Sequence, residues 1–249
     1  MLEPGLYNMD CMEAMAQFPD RFFDLAIVDP PYGGGAAEKP VNGMLNGGGA
    51  STWGARKRGR FGGLFDRYHI GSADRRDLGG EIPGPTTGGG ITHWDVAPPP
   101  EYFKELARVS KSQIIWGGNY FDLPPTRCFV VWDKGIPESF TMAMCEYAWT
   151  SFNANAKLFH WQPQGKKGER FHPTQKPVPL YNWLLKLYAK PGMKILDTHA
   201  GSASSLVACH RAGLDAWGFE IDPDYYRMAK ARLDREFAQV GLCDLLPNE

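Results

Sequence analysis

The run Ile195-Leu196-Asp197-Thr198-His199-Ala200-Gly201-Ser202 decides the fold. Lys194–Asp197 reads as a buried strand that runs into a turn of small residues. Ser202–Ala212 reads as the helix that follows, with Ser202 as N-cap and Gly213 just past its end. Small residues let a ligand approach the backbone, and a helix start offers free N–H groups. Roughly 20 residues further on, Ala216–Glu220 reads as the next strand and closes in Phe219-Glu220-Ile221-Asp222, where an acid can accept both hydroxyls of a ribose. The turn is not GxGxxG, because Ala203 stands where a later glycine would fall. A tight strand–helix turn in any α/β enzyme would look the same.

Outward from this turn, strands and helices alternate. Phe23–Asp29, Gln113–Trp116, Phe129–Trp132 and Glu146–Phe152 read as strands. Pro99–Ser110 and Leu180–Tyr188 read as helices, the second closed by Pro191-Gly192. Asp222 reads as the cap of a helix that starts at Pro223 and runs to about Phe237. Such alternation predicts a mostly parallel sheet with helices on both faces. No internal repeat is visible.

Residues 33–93 break the pattern. This stretch holds 18 of the 29 glycines and little periodic apolar sequence, and it reads as a long insertion within a single domain of 249 residues. It is also basic. Between Trp53 and Arg76, seven cations face only Asp66 and Asp74, a net +5. Formal net charge over the whole chain is −1, so a polyanion must be held by such a local patch. The five cysteines are scattered without a CxxC pair, which predicts a reducing cytoplasm and neither a zinc site nor a disulfide framework. No apolar run approaches the ~18–20 residues of a membrane span, and no secretory signal is expected at the start.

A second strand end carries chemistry. Asp29-Pro30-Pro31-Tyr32 follows the strand directly. The prolines remove two donors, leaving a corner of acceptors made by the Asp29 carboxylate and the Pro30 carbonyl, with an aromatic ring two residues on. An exocyclic NH₂ has two hydrogens to donate, and Tyr32 offers a face for a planar base. By itself the tetrapeptide also reads as a proline-terminated strand with a capping Asp.

Taken together, the two strand ends resemble the amino-methyltransferases of DNA, in which DPPY is the catalytic motif of adenine-N6 enzymes. Further segments match: Leu6-Tyr7-Asn8-Met9-Asp10-Cys11, which resembles the family's short N-terminal strand, Arg21–Val28, His172-Pro173-Thr174-Gln175-Lys176-Pro177, Ile195–Ser202 and Phe219–Asp222. The catalytic motif precedes the cofactor turn, which is the permuted order of the β class. The resemblance covers 1–32 and roughly 94–238. Thr198-His199 replaces the family's Pro-Phe, which points to a phage- or prophage-associated branch, and Ala203 places a methyl where the methionine end of the cofactor should pass.

The resemblance implies a Rossmann-like fold with a seven-stranded sheet, S-adenosylmethionine as cofactor, and double-stranded DNA as partner. Asp29, Pro30, Pro31 and Tyr32 are then catalytic. Asp10, Cys11, Asp29, Lys176, Asp197, Ala200, Gly201, Ser202, Ser204, Glu220, Ile221 and Asp222 are expected around the cofactor. Arg56, Lys57, Arg58 and Arg60, with Lys166, Lys167 and Arg170, are the candidate DNA contacts. Neither a metal nor a membrane is expected. The resemblance admits a homodimer and a paired restriction endonuclease. Direct displacement needs no cysteine nucleophile, and the base must be flipped out of the duplex at a cost of a few kcal/mol. The rivals are cytosine-N4 transfer, usually marked by Ser in place of Asp29, RNA adenine methylation, protein glutamine methylation, which calls for Asn there, and a binding remnant without turnover.

Overall fold

The computed structural model describes residues 1–33, 96–139, 142–162 and 170–243, with side chains described as far as residue 238. Its strands are β1 (Gly5–Asn8), β2 (Leu25–Val28), β3 (Gln113–Trp116), β4 (Phe129–Asp133), β5 (Cys145–Thr150), β6 (Lys157–His160), β7 (Lys194–Asp197) and β8 (Asp215–Glu220). Its helices are α1 (Cys11–Met15), α2 (Pro100–Val109), α3 (Val178–Tyr188), α4 (Ser204–Arg211) and α5 (Pro223–Cys243).

The strands form one sheet in the order β1-β8-β7-β2-β3-β5-β4-β6. Among the described strands, β5 alone runs against the others, pairing antiparallel with β3 and β4. Alternation along the strands builds two cores. Leu25, Ile27, Ile114, Trp116 and Ile195 face one way, towards α3, α4 and α5. Ala26, Val28, Ile115 and Leu196 face the other, towards α1 and α2. A strand buried on both faces is apolar throughout, as in Leu25-Ala26-Ile27-Val28. On α2, Tyr102, Leu106 and Val109 make the buried stripe at helical spacing, and Pro100 sits at the first turn, where its missing N–H is harmless.

The sheet is eight-stranded rather than seven-stranded. The strand not foreseen is β6, at the edge, paired parallel with β4. Its residues are mostly exposed, so no inside–outside alternation marks it. A second correction concerns α4. Ser202 is not its N-cap: the cap is Ala203, left-handed at φ +57 with no side-chain cap bond. The turn winds one residue further because Gly201 is also left-handed, at φ +50. Gly213 follows α4 at φ +64, and Asp222 caps α5 by accepting the amides of Asp224 and Tyr225, both as expected.

Candidate active site

Parallel strands bring their carboxyl ends to one edge of a sheet, and in open α/β folds ligands bind there. The order β8-β7-β2-β3 places the ends of four neighbouring strands side by side: Glu220, Asp197, Val28 leading to Asp29, and Trp116 leading to Gly117. A cavity of about 330 Å³ opens over this edge, a size that suits a small-molecule site.

Of the expected residues, Asp10, Cys11, Asp29, Pro30, Pro31, Tyr32, Lys176, Ala200, Gly201, Ser202, Ser204, Glu220 and Ile221 line the cavity. Asp197 and Asp222 are not among its lining residues. Asp222 is committed to the α5 cap. Asp197 accepts the amide of His199 at 3.1 Å and the hydroxyl of Ser205, so it shapes the turn from behind. Burial raises its carboxyl to about 6 despite those two bonds.

Glu220 is 8% exposed, and it receives the amide of Gly201 at 2.8 Å on one oxygen and that of Asp222 at 2.9 Å on the other. Each oxygen keeps a lone pair. Burial pushes the carboxyl up to about 7, against the pull of the two amides. A buried carboxylate with two spare acceptors fits a vicinal diol, and the exposed side chain of Ile221 beside it gives an apolar surface. The residues present therefore fit a nucleoside end. Asp10 also caps α1, where its Oδ1 accepts the amides of Met12 and Glu13.

The turn is tied to the helices around it. Thr198 exchanges a 2.6 Å hydrogen bond with the Tyr102 hydroxyl of α2, and His199 packs edge-on against the same ring. These contacts give Thr198-His199 a structural reason. Burial lowers His199 to about 4, so it is a neutral imidazole. Arg232 of α5 donates to the Ser202 carbonyl and the Ser204 hydroxyl. Gly201 has His172 so close that a Cβ would sit 3.2 Å from the imidazole. The Ala203 methyl is fully buried in the core around α4 and is not among the groups lining the cavity.

At the other end, the Tyr32 hydroxyl donates to Asp29 at 2.7 Å. The Tyr32 ring stacks on Tyr120 with centroids 4.8 Å apart and lies over Gly117, where a Cβ would be 2.1 Å from the ring. Lys176, 3% exposed, carries its ammonium to Asp29 and, at 3.1 Å, to Glu146. Glu146 also takes Lys134 at 2.8 Å. Burial pushes the Asp29 carboxyl up, against the attraction of Lys176. Burial also opposes the charge on Glu146, yet its two ammonium neighbours hold it at about 2.

Sequence reasoning missed Glu146, Lys134 and Tyr120. Glu146 and Lys134 belong to no recognised motif and meet only through the β4–β5 pairing. Tyr120 carried a signal, since an aromatic a few residues past the end of β3 falls at the same sheet edge. Arg56, Lys57, Arg58, Arg60, Lys166 and Lys167 lie outside the described residues. Arg170 is described: it is partly buried and donates to the Pro173 carbonyl.

A mostly parallel sheet whose carboxyl edge carries this cavity is the architecture of the class I methyltransferase fold. Residues 104–231 match the DNA methylase family of N6 and N4 methyltransferases, and the chain belongs to that family. The family is dependent on S-adenosylmethionine. The chain is 37% identical over 71 residues to the type II methyltransferase M.HpaI of Haemophilus parainfluenzae, a stretch that is 28% of this chain and 23% of that protein. It is 38% identical over 66 residues to the putative methylase YubD of Escherichia coli K12, 26% of this chain and 29% of that protein. The matched stretches thus span less than a third of these relatives. The fold is shared with the M1.HpyAVI–SAM complex, at TM-score 0.52 and 16% identity over 92% of this chain and 98% of that one. It is shared equally with the cytosine-N4-specific PvuII DNA methyltransferase, at TM-score 0.53 and 12% identity over 96% and 93%.

Proposed function

We propose that the protein transfers a methyl group from S-adenosylmethionine to N6 of an adenine flipped out of double-stranded DNA. The observation that carries this reading is Asp29, a buried carboxylate beside Tyr32 that opens into the same cavity as Glu220. When bound, S-adenosylmethionine supplies an electrophilic sulfonium methyl.

The remaining work falls to the chain. Glu220 accepts the ribose hydroxyls, and the turn 200–202 lets the ligand lie against backbone. Asp29 and the Pro30 carbonyl accept the two hydrogens of the target amine, which draws its lone pair out of conjugation with the ring. Tyr32 supplies a stacking face, worth roughly 1–3 kcal/mol per base. Catalysis is then positioning and electrostatics. Burial pushes the Cys11 thiol up to about 12, so it stays protonated, and the displacement runs without it. Aspartate at position 29 is the feature that favours adenine over cytosine, which also bears an exocyclic amine.

Recognition of a specific DNA site is assigned to the basic insertion 33–93, with Arg56, Lys57, Arg58 and Arg60 on phosphates or base edges. The test is incubation with methyl-labelled S-adenosylmethionine and unmethylated DNA or RNA, then digestion to nucleosides. Label in N6-methyladenosine from DNA, as the deoxynucleoside, supports the reading. Label in N4-methylcytosine, in RNA only, or nowhere sinks it.

A further inference from the structure

Four side chains of alternating charge extend from the proposed catalytic corner: Asp29, Lys176, Glu146 and Lys134. Their side chains are 13%, 3%, 25% and 6% exposed. The pairing of Trp132 with Glu146 makes Lys134 a diagonal neighbour of Glu146 across β4 and β5. Lys134 binds Glu146 Oε1, and Oε2 is left to Lys176. Neither Lys134 nor Glu146 is among the residues lining the cavity.

The arrangement poses a chemical problem. Asp29 has one oxygen engaged by Tyr32 and the other by Lys176. A permanent ammonium weakens that carboxylate as an acceptor for an incoming amine. An unpaired buried ammonium would be costly as well, so Lys176 can leave Asp29 only if another anion is within reach. Glu146 already is.

We propose that Glu146 is a positioning residue that takes Lys176 over from Asp29 when the target amine enters, freeing the Asp29 oxygen for the amine while the ammonium stays paired. Lys134 keeps Glu146 turned towards Lys176. The inference rests on the amine-methylation reading of the cavity. The other titratable groups facing this cluster are Asp197, Arg170, His172 and the phenols of Tyr32, Tyr102 and Tyr181. The phenols and the His172 imidazole are held neutral by burial.

The test compares unaltered protein with E146Q, E146D and K134M for label transfer to unmethylated DNA across pH, alongside S-adenosylmethionine affinity and thermal unfolding. E146Q should lower kcat by about 10- to 100-fold, the span expected for a charged hydrogen bond, with cofactor Kd changed less than about twofold. Loss of the Glu146 charge eases ionisation of Asp29, so the acidic limb of the kcat profile should move to lower pH even as the plateau falls. E146D should be intermediate and K134M milder than E146Q. If E146Q does not fold, E146D decides. A wild-type kcat and pH profile in the folded variants overturns the inference, as does a fall in kcat with an unmoved acidic limb and lost cofactor binding. Absence of transfer by the unaltered chain to any DNA overturns both this inference and the proposed function, whereas transfer that E146Q and E146D leave untouched overturns this one alone.

Discussion

Glu220 accepts the amide of Gly201 at 2.8 Å, which ties the end of β8 to the turn after β7. One carboxylate thus shapes the turn and faces the cavity, and its buried state makes it sensitive to pH.

Burial holds Glu220 at about 7 in the folded protein, above its ordinary 4.5. The folded state therefore binds this proton more tightly than the unfolded chain does. The associated stability is fully present below pH 4.5 and is lost as pH rises through 7. A diol donates best to the ionised carboxylate, so cofactor binding should strengthen over the range where the free protein weakens. The rise in Tm caused by S-adenosylmethionine should be larger at pH 8 than at pH 6, and Glu220→Ala should erase the difference. Glu220→Ala should also weaken binding by roughly 1.5–3 kcal/mol, raising the cofactor KM more than it lowers kcat. Equal Tm shifts at both pH values would remove the diol role.

Gly117→Ala should cost methyl transfer far more than it costs folding. The position is left-handed at φ +68, and a Cβ there meets the Tyr32 ring. The backbone strain is about 1–2 kcal/mol, while the ring must leave both Asp29 and Tyr120. Label transfer and calorimetry with S-adenosylmethionine check this: transfer should fall at least tenfold with cofactor affinity retained. Wild-type transfer would show that the placement of Tyr32 over Gly117 is immaterial.

Ala203→Gly should leave cofactor affinity unchanged, because the methyl packs into the core. Glycine relieves left-handed strain of about 1–2 kcal/mol, and the lost burial of one methyl offsets about 0.8 kcal/mol of it. Thermal unfolding should show a small gain or no change. A clear loss of stability, or tighter cofactor binding, would mean that the methyl faces the ligand.

The strands at the centre of the sheet were legible because both of their faces are buried, as in Leu25–Val28 and Gln113–Trp116, and the ligand-facing turn because small residues stand between an apolar strand and a helix. The edge strand Lys157–His160 was not, since exposed residues carry no burial pattern. The shift of the α4 cap from Ser202 to Ala203 depends on left-handed backbone at both Gly201 and Ala203, which residue preference does not specify. Asp29 and Glu220 could be picked out because each ends a readable strand. Glu146 and Lys134 could not, because each is an ordinary polar residue until the antiparallel register sets them beside each other, with Lys176 on the second oxygen of Glu146.

Replacing Arg56, Lys57, Arg58 and Arg60 together by Ala should weaken DNA binding and flatten its salt dependence, by up to about 0.9 in the log–log slope for each phosphate no longer neutralised. Cofactor binding should not change. DNA affinity across a salt series is the measurement. An unchanged slope would move recognition towards Lys166 and Lys167, since Arg170 already serves the Pro173 carbonyl.

Under the proposed function, Asp29 serves the target amine and Glu220 the cofactor within one cavity. Asp29→Ala tests this division most directly, with S-adenosylmethionine binding followed by calorimetry and label transfer to unmethylated DNA followed in parallel. The division predicts cofactor affinity within a few-fold of the unaltered protein, on the order of 1 kcal/mol or less, and no detectable N6-methyladenine. Loss of cofactor binding with turnover restored by excess S-adenosylmethionine would contradict it.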